Sequence, residues 1–295
     1  MRGISLRAAA LLLGSALVCL PAGGTPVRIV AVDDAGDTVR LDGPARRVVS
    51  LDPTTTELLF AIGAGGTVVG RTDACDYPTE ATRVPSLGGG IPPNVEAVAA
   101  ARPDLVLLYH GGVNAEPAAR LRALGIPLAR LRTDRLDDVP RLTRMLGEFT
   151  GARRGAAAIA EGYLRDLARE RAASRAARED PLPVLILAWD QPLIALGAGS
   201  YVSEAVELAG ARNIFDDIAS PSAQVPLEAV VDRAPRAILA MSTSGEALSR
   251  RPEWRTVPAV QAGRVFQLDE SSYNHPGPRM PAAIRTLRAR LAGVP

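Results

Sequence analysis

Residues 94–108 read NVEAVAAARPDLVLL, and residues 226–240 read PLEAVVDRAPRAILA. Glu96 matches Glu228, Val98 matches Val230 and Pro103 matches Pro235, and a short apolar run follows each copy. Each copy reads as an acidic helix start leading into a buried strand. A second landmark recurs in the same order: Thr56-Glu57 followed by Gly63, and Ser203-Glu204 followed by Gly210. Two landmarks repeated in order constrain the chain to a pair of similarly built lobes.

The pattern around these landmarks specifies the lobes further. VRIVAVDDAGDTVRL (27–41) predicts a β-hairpin with Gly36 in its turn. VVSL (48–51) is a short buried strand. The following DPTTTELLFAIGAG predicts a helix with Thr54 and Glu57 at capping-box spacing and Gly63 as its stop. After VVGRT come a loop rich in proline and glycine, a helix from Asn94 and the strand DLVLLYH. A helix at 115–124, the strand PLARL and a helix at 137–149 complete the half. Strands alternating with helices imply a mainly parallel sheet. Residues 153–179 then carry Ala156, Ile159, Ala160, Tyr163, Leu164 and Leu167 at helical spacing until Pro181 and Pro183. A helix there is about 40 Å long and acts as a stiff spacer between halves. The second half restarts with the buried strand PVLILAWD and ends in a helix after Pro276 and Pro278. The expected fold is therefore α/β. Two lobes, each with a central, mainly parallel sheet, are bridged by one long α-helix. The expected division is 1–24, 25–152, 153–180 and 181–295.

The first segment is set apart by composition. MRGISLRAAALLLGSALVCLPAGG has Arg2 and Arg7, an apolar run and then small residues, the order of a secretory signal peptide. The apolar run is shorter than the roughly 20 residues of a membrane span. Cys19 at its end is a candidate lipid anchor, although bulky Val18 precedes it. All 34 basic side chains are arginine, against 32 acids; removing residues 1–24 leaves 32 of each. A neutral exported protein lacks the basic face that nucleic-acid binding needs. Cys75 is then the single cysteine, so no intrachain disulfide forms and the residue reads as a packed thiol.

Ligands of open α/β sheets bind beyond the carboxyl ends of the strands. Here those ends are Leu51-Asp52, Thr72-Asp73, Tyr109-His110, Trp189-Asp190, Ser242-Thr243 and Asp269-Glu270. Aromatic residues make up 4% of the chain, yet Tyr77, Tyr109, Trp189 and Tyr273 fall in or beside these loops. Flat rings beside polar groups suit a large, partly apolar ligand, although any one ring could simply pack its own loop. The two histidines, His110 and His275, fall one in each lobe at the expected cleft and could serve as axial ligands of a bound macrocycle metal. They are too few for a dedicated zinc site, and no metal centre is expected. No nucleophile elbow and no phosphate-binding loop occur. The rival from another class, a secreted two-domain enzyme of glycosyltransferase-like build, has only Asp73 with Asp76 as a carboxylate pair. Glu96 and Glu228 suit the positive end of a helix dipole. Their recurrence also fits one anchor per lobe for arginine forks on a two-subunit partner.

RRVVSLDPTTTELLFAIGAG, VVGRTDACDYP, LEAVVDRAPRAILA and the late HPGPRM together resemble the helical-backbone periplasmic binding proteins of ABC importers, from about Val27 to the C-terminus. The resemblance implies a non-enzymatic, monomeric solute receptor in the periplasm, with no catalytic residue or cofactor, that delivers its cargo to a permease dimer at the inner membrane. It implies cobalamin, haem or a ferric siderophore as cargo, and makes Glu96 and Glu228 the docking glutamates. GRTDACDYPTEA, QVPLEAV and the loop before PRM are most similar to cobalamin-binding members, so the expected ligand is cobalamin or a related corrinoid. The residues then implied at the ligand are Tyr77, Tyr109, His110, Trp189, Tyr273, His275 and Arg279. Where cobalamin binders place rings, this chain has Ala74, Gly90 and Ser222, with Tyr77, Trp189 or Tyr201 as substitutes. Haem would use a Tyr, His110 or His275 as axial ligand; a siderophore would use Arg71, Arg132 and Arg279.

Overall fold

The computed structural model describes residues 28–176 and 180–294. The N-terminal segment that resembles a signal peptide, with Cys19, lies outside them.

The first lobe opens with β1 (Ile29–Val32) and β2 (Thr38–Leu41), an antiparallel hairpin. Its turn needs Gly36 at φ 84°, and Asp33 closes it by accepting the N–H groups of Ala35 and Asp37. Then come β3 (Val48–Ser50), α1 (Pro53–Ala61), β4 (Val68–Arg71), α2 (Val95–Ala100), β5 (Leu105–Tyr109), α3 (Ala115–Ala123), β6 (Leu128–Leu131) and α4 (Asp138–Thr150). The sheet runs β4-β3-β5-β6 and is parallel throughout. The cap of α1 differs from the expected one. Asp52, not Thr54, accepts the N–H of Thr55, and Pro53 takes the first helical position, where its missing N–H costs nothing.

The long helix α5 (Arg153–Ala176) leads from the first lobe to the second. The second lobe contains β7 (Leu182–Asp190), β8 (Leu193–Leu196), α6 (Tyr201–Leu208), β9 (Ala211–Asn213), β10 (Ser222–Gln224), α7 (Leu227–Arg233) and β11 (Ala237–Ala240). It ends in α8 (Gly245–Ser249), α9 (Pro258–Gln261), β12 (Val265–Gln267), α10 (Glu270–Tyr273) and α11 (Met280–Leu291). Its sheet is mixed. β9, β7, β11 and β12 are parallel, whereas β8 turns back on β7 as a hairpin and β10 pairs antiparallel to β8.

The repeat seen in the sequence is a repeat of backbone. Among the described residues, the non-glycine residues at positive φ are Arg102 (48°) and Ala234 (43°), each six positions after its glutamate and just before its proline. The N–H of Asp104 then bonds the carbonyl of Arg47, and the N–H of Arg236 that of Pro183, tying each following strand to the first strand region of its own sheet.

Alternation along the central strand divides the core. Leu105 and Leu107 join an apolar cluster that continues through Leu146, Tyr163 and Leu167 to Ile186 and Leu239 of the other lobe. Val106 and Leu108 face a cluster confined to the first lobe, and Leu187 and Ile238 one confined to the second. The long helix α5 therefore does not stand free as a spacer. It packs on α4, α6 and α11, burying a stripe of Ala156, Ala160, Tyr163, Leu167 and Glu170. At one end a Cβ on Gly155 would lie 2.2 Å from the carbonyl oxygen of Ile62, so only glycine lets α1 approach so closely. Toward the other end, buried Glu170 accepts Arg285 at 3.0 Å and Arg288 at 2.6 Å, both on α11.

Two further contacts cross between the lobes, and they are reciprocal. Glu57 on α1 accepts Nε and Nη2 of Arg279, each at 2.9 Å, and lies 2.9 Å from Nε2 of His275. Glu204 on α6 accepts the N–H of Leu136 at 2.9 Å and pairs with Arg135. Each glutamate precedes by six residues the left-handed glycine that stops its helix, Gly63 and Gly210. The second landmark of the sequence is thus a pair of cross-lobe latches.

Candidate ligand-binding cleft

The carboxyl ends of the two sheets meet at a cleft of about 390 Å³. From the first lobe, the residues after β3 supply Leu51, Asp52 and Thr54, the end of β5 supplies Tyr109, and the residues after β6 supply Thr133 and Asp134. From the second, the start of α6 supplies Ser200 and Tyr201, with Met241 after β11 and His275 from the loop before α11. Exposed Ile91 stands in its lining with 75% of its surface open. A groove of about 790 Å³ between β12 and α11 is larger, but its walls come from the second lobe alone.

No arginine lines the cleft among the described residues, whereas Asp52 and Asp134 both do. Burial is the main influence on the Asp52 carboxyl and raises it above its ordinary value of 3.8, against the N–H groups of Thr55 and Thr54 and the nearby His275. Tyr109 donates its hydroxyl to Oδ1 of Asp134 at 2.6 Å; burial and that carboxylate push its pKa well up. Tyr201 donates to the carbonyl of Tyr273 at 2.7 Å, and burial raises it likewise. Both cleft phenols are therefore held protonated at neutral pH. Asn114 fixes its own orientation by donating Nδ2 to the carbonyl of Tyr109 at 2.8 Å, which leaves Oδ1 as an acceptor. That Oδ1 and the Oγ1 of Thr54 are buried without a partner.

Of the residues named from sequence, the lining includes Tyr109 and His275. Arg279 is bound to Glu57 and lies 3.6 Å above the ring of Tyr77, so those two side chains pack on each other outside the lining. Tyr273 is buried, donates to the carbonyl of Ala283 and borders the outer groove. Trp189 is half exposed and donates to the carbonyl of Gln191, while its strand neighbour Ala188 faces the cleft. His110 is outside the lining too, with a buried Nδ1 that has no partner. Arg71 is turned back onto the carbonyls of Thr72, Thr82 and Val84. At Gly90 a Cβ would meet Cγ2 of Thr72 at 2.4 Å and φ is +80°, which accounts for the missing ring there; Ser222 lines the cleft. Cys75 is a packed thiol beside Thr72, raised by burial.

Asp52 was within reach of the strand-end argument. Asp134 and Asn114 were not, because each is placed by a loop that follows the strand end. Glu96 and Glu228 are exposed in the first turns of α2 and α7. Glu96 is 2.6 Å from Arg120, and its own N–H and that arginine hold its carboxyl below the ordinary value. Among the described residues Glu228 forms no ion pair.

Comparison with known proteins gives a consistent picture. A family described as periplasmic binding protein matches residues 48–272. The vitamin B12-binding protein of Yersinia pestis is 31% identical over 251 residues, spanning 85% of this chain and 88% of that protein. Among solved structures, a periplasmic vitamin B12 binding protein of Vibrio cholerae superposes with a TM-score of 0.74 at 27% identity, covering 84% of this chain and 97% of the other. A periplasmic heme-binding protein from Roseiflexus sp. RS-1 gives 0.75 at 25% identity, over 83% and 97%.

Proposed function

This chain belongs to the periplasmic binding protein family, and on that premise we propose that it captures cobalamin or a related corrinoid between its lobes and presents it to an ABC importer. The observation that carries the ligand choice is the charge of the cleft. Among the described residues its lining holds two carboxyls and no arginine. A corrinoid offers uncharged amide groups around an apolar ring, which such a wall accommodates. Haem offers two propionates, and many ferric siderophores carry net negative charge; either would meet Asp52 and Asp134 with no arginine in the lining to offset them.

The phenols favour the same reading. A tyrosine serves haem iron as phenolate, and Tyr109 and Tyr201 are both already engaged as hydroxyl donors, to Asp134 and to the carbonyl of Tyr273. His275 is engaged with Glu57 rather than presented freely. Ile91 and Met241 supply apolar surface for a ring face. Glu96 and Glu228 are the proposed contacts with the permease, one per lobe. The experiment is separate titration of cyanocobalamin, haemin and a ferric siderophore into the purified protein. Saturable binding of cyanocobalamin alone is expected. Binding of haemin alone, with a shifted Soret band lost in a cleft tyrosine or histidine variant, would overturn the corrinoid reading.

A further inference from the structure

Resting on the corrinoid reading, we propose that Asp52 and Asp134 make the cleft selective for ligands whose edge presents N–H donors, excluding the same ring system bearing carboxylates. Both carboxyls line the first-lobe wall of the cleft. Among the described residues no ion pair to an arginine engages either one, and the interactions of Asp134 are with the hydroxyl of Tyr109 and within its own loop. Asn114 on the same wall points to the same requirement: it is 3% exposed, and among the described residues its Oδ1 has no partner. Nδ2 of Asn114 is already committed to the carbonyl of Tyr109, so what it has left is acceptor capacity. Buried polar groups normally find partners, so this wall is short of donors.

A bound ring displaces water from this wall, and its substituents must then replace the lost hydrogen bonds. A primary amide supplies N–H groups to the carboxyl oxygens of Asp52 and Asp134. A carboxylate at the same point supplies no donor to them and adds like charge beside Asp134, with no arginine in the lining to offset it. Sites built to hydrogen-bond one partner reject the analogue lacking it far more strongly than apolar pockets reject a size change. The selectivity therefore acts on the amidation state of the cargo.

Calorimetric titration of three probes tests this: cyanocobalamin, dicyanocobinamide, and dicyanocobyrinic acid, whose side chains are all carboxylic acids. At neutral pH the intact protein is expected to bind both amidated probes and to bind the acid about 100-fold more weakly. Asp52→Asn keeps a capping oxygen for Thr55, and Asp134→Asn keeps an acceptor for Tyr109. Each single variant, checked by thermal melting, is expected to narrow the ratio several-fold, and the double variant about tenfold or more. Equal affinity of the intact protein for amidated and acid probes, or an unchanged ratio in folded variants, overturns this proposal while leaving the corrinoid reading standing. Failure of the intact protein to bind any of the three overturns the corrinoid reading and the selectivity with it.

Discussion

Glu57 is a carboxylate 3% exposed at its side chain, held by a guanidinium fork and an imidazole that arrive from more than 200 residues away. Burial alone would raise its pKa, but the bonds from His275 and Arg279 outweigh burial and leave it below the ordinary 4.5. Because the folded value is depressed, the latch stabilises the protein fully above the unfolded pKa and weakens as pH falls through the folded one. Glu204 behaves oppositely: burial dominates and its pKa is raised, so acid does not remove stability there. Glu57→Gln removes the charge that His275 and Arg279 bind and is expected to cost about 3 kcal/mol at pH 7. Urea unfolding over a series of falling pH should show that deficit large at pH 7 and shrinking as the pH drops below 4.5. A deficit independent of pH would mean that Glu57 acts through packing rather than charge.

At the scale of elements, the chain was legible where the signal is local. The β1–β2 hairpin, the stop at Gly63, the Asn94 cap of α2 and the long helix all follow from turn chemistry and periodicity. The β7–β8 hairpin was missed because its turn is Gln191-Pro192, which lacks the glycine or asparagine that marks tight hairpins. The two latches were half legible: the spacing of Glu57 and Glu204 was visible, but their partners lie on the opposite lobe. Of the aromatics named from sequence, Tyr109 lines the cleft and Trp189 does not. A strand end fixes where the backbone stops, whereas alternation decides which side chain faces inward, and Ala188 rather than Trp189 does so. The repeated connection carries its own prediction. Ala234 ends α7 at φ 43°, a conformation that favours glycine. Ala234→Gly is expected to stabilise the protein by about 0.5–1 kcal/mol, seen as a rise of a few degrees in melting temperature. A fall would show that the methyl group contributes more by packing than the turn costs in strain.

The whole molecule joins these pieces into one arrangement. In each lobe the helix carrying the proposed docking glutamate runs back along the sheet to feed a central strand, α2 into β5 and α7 into β11. Its N-terminus therefore lies toward the carboxyl ends of the strands, the side on which the cleft opens. The shared apolar core and the Glu170 anchor back both lobes along their helices, and Glu57 and Glu204 tie them nearer the cleft. Such a frame favours small adjustments on loading over wide hinge opening, so the two acidic tips keep a nearly fixed relation. Under the proposed delivery to a permease, reversing both charges, Glu96→Arg with Glu228→Arg, is expected to abolish uptake while the soluble protein binds its ligand with nearly unchanged affinity. The tips are not equivalent, however. A partner arginine approaching Glu96 must share it with Arg120, whereas Glu228 has no such competitor among the described residues. Reversal at Glu228 alone should therefore reduce uptake more than reversal at Glu96 alone. Equal losses would mean that Arg120 yields Glu96 without cost, and a parallel loss of ligand affinity would assign both glutamates to the fold instead of the interface.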